Sequence, residues 1–332
     1  MGPFGGWSWQ GEAMSGDAER DGVRLTNLDQ PLFDGAEATK RDLVDYLDAV
    51  RDRILPELTD RPLSVVRVLR GQKPFMQKNL PKYTPDWVRR ESLWAHSSQR
   101  EVAYALCNDR RTLLWFANQR AVEYHPTLVT VGAPESPGYL VMDLDPPEGS
   151  GFGVAVASAR LVRQVLDDVG LTGAAVKTSG AKGLHVFVPV LGTHSDAAAA
   201  TRAVAARAER LDPALATTAF IREDRGNKVF LDSTRSGSAT VAAAYSPRIR
   251  PGTPVSFPVR WDDLDQVTPA DFTVHTATGP ALEYEGWTER MPAPSRLPPD
   301  LVAEGHTIPI ARVQAMHEGK RRARARTRPT EG

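Results

Sequence analysis

A layered α/β or α+β fold is what this sequence predicts, and two observations carry the prediction. Short apolar runs bounded by Gly, Pro or Ser alternate with longer segments whose apolar residues recur at helical spacing. With 332 residues, 41% of them hydrophobic and 25% charged, the chain is long and apolar enough to bury the core of one large domain or two ordinary ones.

The elements follow in order. Residues 1–22 have neither a basic start nor an apolar core segment, so they read as a loose arm rather than a signal peptide. Leu43, Leu47, Val50, Ile54 and Leu58 then predict a helix over 40–58, with Thr39 as its N-cap and Pro56 set to kink or shorten it. The run YLVMDLD predicts a strand over 139–145. A helix over 153–169 should stop at Gly170, and an Ala-rich helix over 196–211 should end before Pro213. GLHVFVPV (183–190), KVFLD (228–232) and ATVAAAY (239–245) read as strands. Pro and Gly thicken after 246, and the Arg-rich tail beyond about 310 reads as a separate helix or a disordered arm. No internal repeat is visible.

A single cysteine, Cys107, excludes an intramolecular disulfide framework and a Cys-rich zinc site, which fits a reducing cytoplasm. No stretch approaches the roughly 20 apolar residues of a membrane span. Forty-one basic residues balance 41 acidic ones, but the charge is sorted along the chain. Residues 1–60 hold 6 basic and 13 acidic residues, and 61–90 hold 8 and 1. In that basic block Arg67, Arg70, Lys73, Lys78 and Lys82 are interleaved with Phe75, Tyr83 and Trp87, the mixture that tracks a phosphate backbone and stacks on bases. Residues 261–305 are acidic again, and 312–332 are basic.

Walker-type phosphate loops, dinucleotide fingerprints, H-E-x-x-H and G-x-S-x-G are all absent. The most pointed motif is Asp143-Leu144-Asp145, where a period of two puts both carboxylates on one strand face. Two such carboxylates repel by roughly 4 kcal/mol at about 4 Å with an effective dielectric near 20, so they call for a divalent cation or an arginine. By itself D-x-D fits first a strand end with solvated acids, and otherwise a phosphatase or a metal-dependent glycosyltransferase. Asp232 ends another apolar strand in the same style and brings a third carboxylate, the supply that a two-metal nucleotidyl-transfer site needs. Between them, Ser179, Gly180, Lys182 and Gly183 form a small turn able to aim N–H groups, a hydroxyl and an ammonium at phosphate. His185 suits either a core histidine or a ligand, and His125 either a turn histidine before Pro126 or a ligand. Arg222, Arg225, Lys228, Arg248 and Arg250 bracket the third carboxylate.

In this order the motifs resemble the archaeo-eukaryotic primase superfamily, most closely the polymerase domain of bacterial end-joining DNA ligase D and related stand-alone primase-polymerases. The resemblance runs from about Asn27 to Trp261 through TKRDLVDYLDAV, LPELTDRPLSVVR, PFMQKNLPKYTPDW, WFANQRAVEYHP, YLVMDLDPP, KTSGAKGLHVFVP, KVFLD and AAAYSPRIRPGTPVSFPVRWDDL. It implies two packed mixed or antiparallel sheets with flanking helices and an RRM-like catalytic module, in a catalytic domain at 23–305 between the arm and a tail at 306–332. It implies that Asp143, Asp145 and Asp232 hold two divalent cations, Mn²⁺ or Mg²⁺, and that a primer 3′-hydroxyl attacks the α-phosphorus of a dNTP or NTP while pyrophosphate leaves. Arg67, His125, Ser179, Lys182, Gly183, His185, Arg225 and Arg248 are the nucleotide-binding candidates, and Lys40, Phe75, Lys78 and Lys82 the DNA-binding ones.

Three departures stand out. Where ligase-linked members carry two lysines for a downstream 5′-phosphate, only Lys40 is kept and the other position reads Gln30. A template-packing pair of phenylalanines reads Phe75-Met76, and Asp232 is followed by STRSGSATV instead of an aromatic-Ser-Gln start. The expectation is a DNA-dependent DNA/RNA primase-polymerase acting on DNA ends or gaps, in the cytoplasm at the nucleoid, with a separate ligase and an end-binding protein as partners. Its rivals are a metal-dependent phosphohydrolase and a DNA-end binding module without activity.

Overall fold

The computed structural model describes residues 17–95, 99–236, 239–283 and 286–310. The tail after 310 and the first 16 residues lie outside this range. The arm expected through residue 22 gives way earlier. β1 (Ala18–Arg20) pairs with β2 (Val23–Leu25) around a turn at Asp21-Gly22, and Arg20 reaches Asp45 and Asp48 at 2.6 and 3.2 Å.

Instead of one helix over 40–58 there are two, α1 (Lys40–Ala49) and α2 (Arg51–Leu58). Thr39 caps α1 as expected, with its hydroxyl accepting the Asp42 N–H and the Asp42 carboxylate accepting the Thr39 N–H. The break falls at Val50, which caps α1 at φ −94° and ψ 7°; Pro56, expected to kink or shorten the helix, lies inside α2, where its ring crowds the Asp52 carbonyl. Next come β3 (Leu63–Arg67), β4 (Phe75–Gln77), β5 (Arg90–Ala95), β6 (Arg100–Ala105), α3 (Arg110–Asn118) and β7 (Ala121–Pro126). The strands make a five-stranded sheet in the order β4-β3-β6-β5, with β7 also on β3. The basic block of 61–90 is therefore largely strand and connecting turn.

The second half holds β8 (Tyr139–Asp145), α4 (Phe152–Asp168), β9 (Ala175–Thr178), β10 (Leu184–Leu191), α5 (His194–Leu211), β11 (Ala216–Thr217), β12 (Val229–Asp232), β13 (Pro258–Val259), β14 (Ser295–Arg296) and α6 (Pro299–Thr307). Its seven-stranded sheet runs β11-β12-β8-β10-β9-β13, with β14 on β10. Within it, β8-α4-β9-β10-α5-β12 is a β-α-β-β-α-β unit whose strands lie fourth-first-third-second, all antiparallel. This is the expected RRM-like module. The strand expected over 239–245 does not form; Thr240 makes one isolated bridge to Thr127. Its backbone bonds go elsewhere, the Ala242 carbonyl to the Lys177 ammonium and the Ala243 N–H to the Tyr124 carbonyl, and Tyr245 turns the chain at φ 67°.

Strand periodicity divides the residues of the seven-stranded sheet between two cores. Leu140, Met142 and Leu144 of β8, with Val186 and Val188 of β10, pack under α4 and α5. Val141, Phe187 and Ala175 face the other way and join Val65, Tyr124, α1 and α3 in one core shared with the five-stranded sheet. Asp143 continues the Val141 face by one more period, so the apolar contact between the sheets turns polar at the strand ends. Among the described residues no helix is long and apolar enough to cross a membrane.

Candidate active site

Antiparallel register lines up four side chains across four strands. Asp232 of β12 pairs with Asp143 of β8, Asp143 with His185 of β10, and His185 with Lys177 of β9. The row thus reads carboxylate, carboxylate, imidazole, ammonium. Lys177 is 1% exposed, and its ammonium donates to the Ala242 carbonyl at 2.9 Å, Ser256 Oγ at 2.5 Å and His185 Nδ1 at 2.8 Å. These three acceptors match the three protons of an ammonium, while burial first and the charge of Arg248 second push the Lys177 pKa well below its ordinary value. With Lys177 donating to Nδ1, the ring proton falls on Nε2, which faces Asp143 Oδ1 at 3.4 Å. Burial and Lys177 push the His185 pKa down to about 4, which leaves the imidazole neutral at pH 7. Burial alone would raise the Asp143 pKa, but His185 and Arg235 outweigh it and hold the carboxyl well below the usual carboxylate range.

One guanidinium bridges the two neighbouring acids. Arg235 lies 3.1 Å from Asp143 Oδ2 through Nη2 and 3.2 Å from Asp232 Oδ2 through Nε. Asp232 Oδ1 accepts from the Thr234 N–H and hydroxyl at 2.9 and 2.6 Å. Asp145 is held separately by Arg225 at 3.1 Å and Lys182 at 3.4 Å, while Arg225 stacks 3.9 Å over the Phe230 ring. Each carboxylate therefore already has a cation. Among the described residues no group of three His, Cys, Asp or Glu side chains is gathered closely enough to hold a metal ion as it stands.

The Ser179–Gly183 turn closes on itself. Ser179 Oγ accepts the Ala181 and Gly183 N–H groups at 3.2 Å each, so those two donors do not face outward as the sequence suggested; Lys182 supplies the loop's positive charge. Both glycines are dictated by space. A Cβ on Gly183 would lie 2.0 Å from the Leu144 carbonyl oxygen, and one on Gly180, at φ +68°, 2.5 Å from Arg248 Cγ. Arg248 donates to the Ser179 carbonyl and pairs with Glu123 at 3.3 Å. These groups line a cleft of about 1020 Å³ bounded by Asp143, Asp145, Asp232, Ser179, Lys182, Gly183, His185, Arg225, Arg235 and Arg248.

Residues 39–285 match the family described as LigD, primase-polymerase domain. The chain belongs to that family. It is 38% identical over 263 residues to the multifunctional non-homologous end joining DNA repair protein LigD of Mycobacterium tuberculosis, covering 75% of this chain and 34% of that protein. It is 33% identical over 261 residues to the bifunctional LigD of Bacillus subtilis, covering 76% of this chain and 41% of that protein. The chain thus spans between a third and about two fifths of these relatives. Its fold superposes on the polymerase domain of M. tuberculosis ligase D, solved in complex with DNA, with a TM-score of 0.74 at 31% identity, covering 81% of this chain and 97% of that one.

Not every expected residue of this primase-polymerase domain reaches the cleft. His125 does not line it and instead bonds Glu123 at 2.8 Å. Arg67 is 7% exposed in the five-stranded sheet, where it donates to the Gln119 carbonyl, Gln77 and Tyr83 and lies under the Phe75 ring. Lys40 is buried, its ammonium spent on the Thr26 carbonyl at 2.6 Å, and burial followed by Arg120 lowers its pKa to about 8. Phe75, Met76, Lys78 and Lys82 are exposed, as a nucleic-acid surface requires. Sequence reasoning missed Glu123, Lys177 and Arg235. The first had a usable signal, because Glu123-Tyr124-His125 puts acid and imidazole on one strand face.

Proposed function

We propose that this domain is a DNA-dependent DNA/RNA primase-polymerase that adds dNTPs or NTPs to a primer 3′-hydroxyl at DNA ends or short gaps, with loss of pyrophosphate. The observation that carries the reading is the Asp232–Asp143 pair, set side by side by sheet register and already bridged by one cationic group, at the mouth of a cleft rich in arginine and lysine. The donor chemistry fits divalent cations: hard carboxylate oxygens whose Oδ2 atoms both reach a single positive centre. Asp143, Asp145 and Asp232 would hold two such ions, Mn²⁺ or Mg²⁺, once Arg235 withdraws. When bound they neutralise charge on the attacking and leaving oxygens.

The chain's own residues do the rest. Lys182, Arg225 and Arg248 meet the triphosphate, the Ser179–Gly183 turn shapes its seat, and neutral His185 holds Asp143 in place by its Nε2–H. A second cleft of about 850 Å³ is lined by Gln30, Arg70, Lys73, Arg120 and Arg250, and shares Arg250 and Pro251 with the first. It offers the adjoining DNA strand a basic path, in which Arg70 and Lys73 take over the phosphate contact that buried Lys40 does not present. Phe75, Lys78 and Lys82 extend the surface across the five-stranded sheet. The catalytic unit is assigned to 23–305. A DNA ligase and an end-binding protein would complete the reaction.

Extension of a labelled primer on gapped DNA with Mn²⁺ and either dNTPs or NTPs tests the reading. Wild type should add nucleotides and Asp143→Ala should lose at least about a thousandfold in rate, the scale of removing a catalytic electrostatic group. Failure of wild type to extend with either nucleotide class rejects it, and primer-independent phosphate release would point to a phosphohydrolase instead.

A further inference from the structure

The carboxylate of Glu123 has no place among the groups assigned above, although it is 9% exposed and uses both oxygens. Oε2 accepts from His125 Nε2 at 2.8 Å, and Oε1 accepts the Ile249 N–H at 2.9 Å and pairs with Arg248 Nε at 3.3 Å. It therefore joins β7 of the five-stranded sheet to the segment following Tyr245, which carries Arg248 into the cleft. An acid this close to a triphosphate seat repels the substrate by its charge alone, and so the position calls for a compensating role. We infer that Glu123 is a positioning residue, which holds Arg248, a group that lines the cleft, against His125, which does not, so that the five-stranded sheet sets the geometry of a triphosphate-binding group on the facing segment.

Three features support this. The bond from His125 Nε2–H to Glu123 fixes the ring's tautomer, and the same carboxylate holds the Arg248 guanidinium beside it as an ion pair at 3.3 Å. Arg248 Nη1 meanwhile donates to the Ser179 carbonyl, so the Glu123 carboxylate, Arg248 and the Ser179–Gly183 turn form one connected chain. The strand itself cannot easily shift, because the Tyr124 N–H donates to Ser246 Oγ at 2.8 Å and the Ala243 N–H to the Tyr124 carbonyl. Glu123 is thus the only member of the chain that touches both His125 and Arg248 among the described contacts.

The inference rests on the nucleotide-binding reading of this cleft, and the test separates the two. Equilibrium binding of ATP and dATP in Mn²⁺ is measured for wild type, Glu123→Gln, His125→Ala and the double variant, alongside KM and kcat for primer extension. Glu123→Gln keeps size and hydrogen-bonding capacity but removes the fixed acceptor pair. It should raise Kd and KM about tenfold in the wild-type background, change kcat less than threefold, and add less than twofold to the defect of His125→Ala. Non-additivity of that kind is what a positioning role requires, and a merely structural residue would add its full effect in both backgrounds. Glu123→Gln with wild-type Kd and KM, or with a fully additive effect, overturns the inference while leaving the proposed function standing. Wild type that binds neither nucleotide overturns both.

Discussion

The two sheets treat charge in opposite ways. At the cleft end of the seven-stranded sheet the charged side chains are paired: Lys177 with three acceptors, Asp143 and Asp232 with Arg235, Asp145 with Arg225 and Lys182. Across the five-stranded sheet Lys73, Lys78 and Lys82 stand exposed beside Phe75 and Tyr83, without an ion pair among the described contacts. The contrast fits the two tasks proposed for these surfaces. A reacting centre needs charges fixed in low dielectric before substrate arrives, whereas a surface that follows a flexible backbone needs cations free to adjust.

The comparison can be broken most sharply at Lys177. Lys177→Met leaves His185 Nδ1, the Ala242 carbonyl and Ser256 without their donor, so denaturant unfolding should show a loss of about 3 kcal/mol. Wild-type stability in that variant would mean the row is not a coupled unit. The acid limb of stability comes next. Burial works to raise the Glu123 pKa, but the hydrogen bond from His125 and the charge of Arg248 prevail and bring it down to about 2. A carboxyl depressed on folding contributes stability that is complete above its unfolded value near 4.5 and is lost as pH falls toward 2. Glu123→Gln should therefore cost on the order of 2 kcal/mol at pH 7 and progressively less below pH 4, read as the difference between the two pH–stability curves. A difference that is constant with pH would contradict the burial and pairing described. The smallest effect belongs to the other sheet: Lys78→Ala and Lys82→Ala should leave stability within about 0.5 kcal/mol. Each should weaken DNA binding a few-fold and reduce the salt slope by about 0.7 per lost phosphate contact.

Much of this was legible before folding. Three strands and both helices of the β-α-β-β-α-β unit were legible, because the strands are apolar on both faces and the helices have clear ends at Gly170 and Pro213; β9 (Ala175–Thr178) was not, and the module as a whole came only from the family resemblance. Asp143, Asp145 and Asp232 were legible because a period-two strand fixes which face each residue takes. The five-stranded sheet was not, since β4 has three residues and β3 sits in a block whose cations masked its strand pattern. Residues 239–245 look like a strand because they are apolar, yet their backbone partners are scattered: the Lys177 ammonium, the Tyr124 and Ser256 carbonyls and the Tyr46 hydroxyl. Arg235 could not be read at all: its role depends on cross-strand register, which sets Asp143 beside Asp232 and which no local pattern encodes. Lys40 was legible as a basic residue but its burial was not, because its ammonium is taken up by the Thr26 carbonyl that folding brings to it.

The central claim is that the Asp143–Asp232 pair exchanges its bridging guanidinium for divalent cations. Mn²⁺ binding followed by electron paramagnetic resonance, with wild type and Asp143→Ala compared in the presence of a non-hydrolysable nucleoside triphosphate, tests it directly. Wild type should show two saturable ions that the variant loses, and Arg235→Gln should bind Mn²⁺ more tightly than wild type in the absence of nucleotide. Wild type that binds no Mn²⁺, or Asp143→Ala that binds it as wild type does, would contradict the account.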